Sequence, residues 1–175
     1  MLYFLGMVGI AAFAITGVIS SGRKDMDIFS IVLLGMVTSL GGGTIRDVIL
    51  STDAVYWVAD TSYLWVAMLS SVFAFFAVRI IENRQSLFHY ADAFGLALFT
   101  VVATEKVLQH GFSPTIAITM GVITGVAGGM IRDVLSNKAP LVLGREFYAT
   151  PAFLGAILMV ALQNWAPEHE FNAIY

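Results

Sequence analysis

The sequence predicts an all-α polytopic membrane protein made of two inverted three-helix repeats, with kinked second and fifth transmembrane helices. Three observations predict it. The 175-residue chain is 58% hydrophobic and 12% charged, with mean hydropathy +0.84. Soluble chains carry about 25% charged residues, so lipid is the expected solvent. Charge-free apolar runs recur along the chain, close to the ~20 residues that a membrane-crossing helix needs. Finally, fourteen residues occur twice, G-M-V-T-S-L-G-G-G-T-I-R-D-V from Gly35 and G-V-I-T-G-V-A-G-G-M-I-R-D-V from Gly121, at a constant offset of 86. Eight of those positions are identical, among them Thr38/Thr124, Gly42/Gly128, Gly43/Gly129, Arg46/Arg132 and Asp47/Asp133. A glycine cluster and an Arg-Asp pair repeated inside apolar sequence point to two halves with a polar site between them.

The first expected span is residues 1–22. No basic residue precedes its apolar stretch and Arg23-Lys24 follow it, which argues against a cleaved signal peptide. Gly9, Ala11 and Phe13 recur as Gly95, Ala97 and Phe99, so this span belongs to the repeat. The second span is 28–45, the third 61–78, the fifth 111–131 and the sixth 147–167. The fourth, 93–104, is short, because Asp92 and Glu105-Lys106 bound it. The first repeat is therefore expected over 1–82 and the second over 90–167, with a polar connecting loop at 83–89 and a tail at 168–175. An odd number of spans per repeat makes the second half enter the membrane from the opposite side.

Basic residues set the orientation. Arg23, Lys24, Arg79, Arg84, Lys138 and Arg145 lie in or beside the loops after spans one, three and five, and Arg132 ends span five on the same side. Only Arg46 and Lys106 lie toward the other side, where Asp53, Asp60, Glu168 and Glu170 are found. The odd loops are expected in the cytoplasm and the N-terminus outside.

Gly41, Gly42 and Gly43 fall about 20 Å into span two at ~1.5 Å per residue. Each interior glycine costs a helix roughly 1 kcal/mol relative to Ala, so three together predict a kink or local unwinding. Gly125, Gly128 and Gly129 occupy the matching stretch of span five. Close helix packing is the competing reading of any one of these glycines. Arg46-Asp47 and Arg132-Asp133 follow the clusters; charges within a bilayer usually face a partner or a water-filled cavity. Neighbours at i,i+1 do not face each other on a helix, so each Arg is expected to pair outside its own dipeptide. Carbonyls freed at a break, with the Thr38 and Thr124 hydroxyls on the approach, would suit a cation. The competing reading is two anchors that snorkel to headgroups. Lys106 is either a snorkelling helix end or a charge that tunes the path. Trp57, Trp65 and Trp165 read as packing and interfacial belts.

Several function classes are excluded as expectations. The net charge of −3 gives no nucleic-acid footprint. There are no cysteines, and His89, His110 and His169 are far apart, so no metal site is expected. No catalytic triad, metal-ligand spacing or Walker loop is present, so no enzyme is expected.

G-G-G-T-I-R-D at 41–47, A-D-A-F-G-L-A-L-F at 91–99 and G-V-I-T-G-V-A-G-G-M-I-R-D-V-L at 121–135 resemble the prokaryotic TRIC (trimeric intracellular cation) channel family, also described as YadS-like or glycine-transporter proteins. The likeness runs from residue 5 to about residue 160. It implies inverted three-helix bundles and a homotrimer in the cytoplasmic (inner) membrane, with one pore per protomer for potassium or sodium. It implies no cofactor, and membrane lipids as the surroundings. The family's kink glycines would be Gly41, Gly42, Gly43, Gly128 and Gly129. Its paired charges would be Arg46, Asp47, Arg132 and Asp133, with Asp92 and Lys106 on the fourth helix. Ala127 replaces the first glycine of the second triplet, which implies a milder second kink. The family's seventh helix has no counterpart before Tyr175. The resemblance implies a cation channel, and the competing class is a secondary transporter of a small amino acid such as glycine.

Overall fold

The structure is a computed structural model. It describes residues 1–21, 26–51, 54–78, 80, 84–144 and 148–165. The expected cytoplasmic charges Arg23, Lys24, Arg79 and Arg145, together with Asp53 and the tail from 166, lie outside the described residues. The helices are α1 (Leu2–Ser21), α2 (Ile28–Ile49), the short α3 (Tyr56–Ala59), α4 (Ser62–Ala77), α5 (Arg84–Gln109), α6 (Pro114–Leu135) and α7 (Ala149–Trp165), with a 3-10 turn at Leu141–Leu143. Helices α1, α2, α5 and α6 are long and apolar enough to cross a membrane, and α4 and α7 are shorter apolar helices. At 16 residues α4 reaches about 24 Å, so it is a short leg beside its long neighbours.

Helix boundaries repeat as the sequence does. Both ends of α6 lie 86 residues beyond those of α2. Asp27 starts α2 by accepting the Ser30 N–H at 2.8 Å, and Ser113 holds the matching place before Pro114, a residue suited to a first helical position. Ser51 and Asn137, again 86 apart, end the two helices in left-handed conformations (φ 52° and 55°). Helix α5 stops at Gly111 (φ 79°), where the Phe112 N–H reaches back to the Val107 carbonyl at 3.4 Å.

Each repeat is a bundle of three mutually packed helices, α1–α2–α4 and α5–α6–α7, and the halves meet through α1 against α5 and α2 against α6. The main core cluster includes three repeat-matched pairs: Ile10 with Leu96, Phe13 with Phe99, and Leu40 with Val126. The Phe13 and Phe99 rings stack at 5.1 Å. A Cβ on Gly95 would collide with the Phe13 ring, 2.6 Å from its Cε1, and one on Gly9 would lie 3.5 Å from the Phe99 ring. Large apolar side chains such as Phe4, Phe29 and Phe73 point outward, more than two-thirds exposed, as a lipid-facing surface requires.

Two expectations are corrected. Span four is not short: α5, with 26 residues, is the longest helix, and Asp92 and Glu105 are buried within it. Reading spans from charge-free runs failed because the protein interior, rather than lipid, surrounds those carboxylates. The connector expected at 83–89 is also corrected, being helical from Arg84 onward; His89, bonded to Gln85 at 3.0 Å, lies on the exposed face of α5.

Candidate functional site

The glycine clusters lie where α2 and α6 cross. A Cβ on Gly42 would collide with the Thr124 carbonyl oxygen, and one on Gly128 with the Thr38 carbonyl oxygen. Thr38 therefore faces Gly128 while Gly42 faces Thr124, which makes the crossing antiparallel and centres it near Leu40 and Val126. Both helices run through their glycines without unwinding. The expected exposure of free carbonyls is corrected accordingly: bare Cα atoms let two intact backbones touch. The Thr38 and Thr124 hydroxyls turn along their own helices and donate to the Leu34 and Met120 carbonyls at 2.6 Å each.

Arg46 and Arg132 each stand six residues past the crossing centre, about 9 Å along their helices at 1.5 Å per residue. Because the helices are antiparallel, the two pairs lie on opposite sides of the crossing. Both arginines fold back onto their own neighbours, contrary to expectation, while Arg132 also pairs outside its dipeptide with Asp92, as expected. Arg46 Nε donates to Asp47 Oδ1 at 2.8 Å, and Arg132 Nε to Asp133 Oδ1 at 2.8 Å. The i,i+1 argument fails because a long Arg side chain curls across to a short Asp. Each Asp also accepts a loop N–H on Oδ2, from Tyr56 at 2.8 Å and from Leu141 at 3.0 Å.

Beyond these shared features the halves differ. At the first, Lys106 Nζ approaches Asp47 Oδ2 at 3.9 Å and the Tyr56 ring at 5.5 Å, with about a third of its side chain exposed. The Arg46 guanidinium lies 5.7 Å from the same ring. Burial holds the Tyr56 hydroxyl above its ordinary pKa, and that buried oxygen makes no hydrogen bond among the described residues. Trp57 Nε1 donates to Thr44 Oγ1 at 2.9 Å, fixing the loop that carries α3.

At the second, Arg132 is fully buried. Its Nη1 donates to Asp92 Oδ1 and, at 3.0 Å, to Thr16 Oγ1, while its Cζ lies 4.5 Å from the centre of the Phe88 ring. Asp92 accepts on its other oxygen from the Tyr148 hydroxyl at 2.5 Å. A Cβ on Gly129 would lie 3.2 Å from Tyr148 Oη and 3.5 Å from Arg132 Nη2, so its bare Cα leaves room for both tips. The repeat counterpart of Asp92 is Gly6, and that of Lys106 is Ser20. Helix α5 alone thus adds an acid to one half-site and a base to the other. The sequence reading missed Thr16, Tyr56 and Tyr148; Tyr148 carries no signal in a single chain, since its repeat counterpart is Ser62.

A family model described as Glycine transporter matches residues 3–79 and again 89–164. The two matches begin at the same 86-residue offset. The chain belongs to this family. The chain is 45% identical over 158 residues to a UPF0126 membrane protein of Vibrio cholerae, covering 90% of this chain but 66% of the relative. It is 43% identical to the UPF0126 inner membrane protein YadS of Escherichia coli K12, covering 90% of this chain and 77% of that protein. Among solved structures, the TRIC trimeric intracellular cation channel orthologue from Rhodobacter sphaeroides superposes with a TM-score of 0.91 at 43% identity, covering 97% of this chain and 87% of that one. The chain is therefore a YadS-like, TRIC-related integral membrane protein of two inverted three-helix repeats.

Proposed function

We propose that this protein is a TRIC-type channel for monovalent cations, potassium foremost, with one path per protomer at the crossing of α2 and α6. The observation that carries the reading is the placement of two Arg-Asp pairs on opposite sides of a glycine-lined antiparallel crossing. Fixed charges on either side of a constriction are how a pore sets which ions pass. The likeness to the Rhodobacter channel supports it. Residues Thr38, Gly41–Gly43, Arg46, Asp47 and Lys106 would line one half of the path, and Asp92, Thr124, Gly128, Gly129, Arg132 and Asp133 the other. The functional unit is a homotrimer in the cytoplasmic membrane, surrounded by lipid, acting as a conduit and not as an enzyme.

The description of the matching family favours a second reading, a carrier of glycine. Single-channel recording of the purified protein in planar bilayers separates the two. Ohmic unitary potassium currents are expected; saturable uptake of labelled glycine without unitary currents would replace the channel with the carrier.

The N-terminus lies outside in this reading. A cysteine placed at Arg84 in the cysteine-free chain is expected to react with an impermeant maleimide in inverted vesicles and to be protected in right-side-out ones. The opposite pattern would reverse the orientation.

A further inference from the structure

We propose that the first half-site holds a small monovalent anion, chloride foremost, among Arg46, Lys106 and Tyr56. The two half-sites share a plan and differ at one carboxylate. In the second, Asp92 accepts from Arg132 Nη1 on one oxygen and from the Tyr148 hydroxyl, at 2.5 Å, on the other. The first has the matching arginine and a tyrosine of its own. Each tyrosine covers the last glycine of its cluster: a Cβ on Gly43 would lie 3.0 Å from Tyr56 Cζ, and one on Gly129 3.2 Å from Tyr148 Oη. The carboxylate is missing, because Gly6 stands in the place of Asp92. A Cβ on Gly6 would meet nothing closer than Tyr63 Cε1, at 3.8 Å.

Three donors at the first half-site therefore lack the acceptor that Asp92 supplies at the second. Arg46 spends Nε and Nη2 on Asp47 Oδ1, at 2.8 and 2.7 Å, and its Nη1 meets no carboxylate among the described residues. Lys106 Nζ stands 3.9 Å from Asp47 Oδ2, beyond hydrogen-bond reach. Tyr56 Oη is buried and has no hydrogen-bond partner among the described residues. The two cations lie 5.7 and 5.5 Å from the centre of the one Tyr56 ring. Two positive charges share one carboxylate here, whereas Arg132 alone faces two. Buried charges are paired and buried donors find acceptors. One monovalent anion meets both needs, balancing the second base and accepting charge-assisted bonds from the three donors. It enters beside Lys106, a third of whose side chain is exposed. The binding does not depend on the channel reading; within that reading, the anion lifts surplus positive charge from the cation's path.

The test is thermal melting of the purified oligomer as potassium gluconate is exchanged for potassium chloride at constant ionic strength. A ligand that binds only the folded protein raises its melting temperature, here by about 2–4 °C and with saturation. Lys106→Met, Tyr56→Phe and Gly6→Asp are compared with wild type, each first shown to run at wild-type oligomer size. Lys106→Met keeps the stem without the charge and is expected to lose the rise. Tyr56→Phe keeps the ring without the donor and is expected to weaken it. Gly6→Asp supplies the carboxylate covalently and is expected to melt alike in both salts. In crystals grown with potassium bromide, an anomalous bromide peak is expected beside Lys106 and Tyr56. Equal melting of the wild type in the two salts would overturn the anion site. So would a rise of wild-type size in Lys106→Met or Gly6→Asp, which would put the ion elsewhere. Stabilisation by glycine and not by chloride would also overturn it, replacing the inorganic ion with an amino-acid carboxylate. None of these readouts needs a current, so a protein without unitary currents that still binds chloride would refute the channel reading alone.

Discussion

Substitution of Gly42 by alanine is expected to destabilise the protein by about 3 kcal/mol, the upper end of what added methyl groups cost in a packed interior. The new Cβ would meet the Thr124 carbonyl oxygen, with the Thr124 carbonyl carbon at 3.1 Å and the Gly128 nitrogen at 3.4 Å. All three are backbone atoms of an intact helix, so no side chain can move aside; α2 and α6 must separate. Its neighbour Gly41 is the control. Among the described residues, a Cβ there meets only the Ile131 Cδ1, at 2.8 Å, the free end of a flexible chain. Gly41→Ala is expected to stay within about 1 kcal/mol of wild type, helped by the helix preference of alanine. Thermal unfolding in detergent, followed by loss of the oligomer peak, checks the pair. Equal melting of the two variants would mean that the crossing does not depend on backbone contact at Gly42.

Arg132→Gln is expected to cost about 3–5 kcal/mol, the usual result of removing one partner from a buried ion pair. Asp92 and Asp133 would both lose their countercharge, and both are buried. Arg46→Gln should be milder, about 1–2 kcal/mol, because Asp47 keeps the Tyr56 N–H at 2.8 Å and Lys106 stands 3.9 Å away. Read from sequence, the two arginines were equivalent. Their environments make Arg46→Gln the variant whose currents are informative, and Arg132→Gln the one whose yield and melting temperature fall first. Similar stability losses in both would show that the Asp92 pair contributes nothing beyond the shared Arg-Asp contact.

The architecture was legible because duplication leaves a second copy to compare. The 86-residue offset located the crossing glycines and both Arg-Asp pairs, since the same residues fold the same way twice; the limits of α2 and α6 keep that offset but differ from the expected 28–45 and 111–131, running to Ile49 and Leu135. What duplication does not mark was missed. Asp92 and Glu105 broke an apolar run and so shortened a span that is in fact the longest, because hydropathy does not distinguish a carboxylate facing lipid from one facing a partner. Tyr148 and Thr16 enter the site from other elements and have no like residue at the repeated position. The curl of each Arg onto its own Asp is a matter of side-chain reach, which helical spacing alone does not describe.

The contact between Phe13 and Phe99 has a consequence for how the halves recognise each other. Phe13 fills the space left by Gly95, and Phe99 packs over Gly9. Each half thus carries both the knob and the socket, and the seam reads the same from either side. That is the arrangement found where two identical subunits join about a two-fold axis. In this chain the two subunits are one polypeptide, and the neutral pair Gly6 and Ser20 against the charged pair Asp92 and Lys106 is what tells one side of the seam from the other. Identical partners could exchange places; these cannot, because the two half-sites carry different charges.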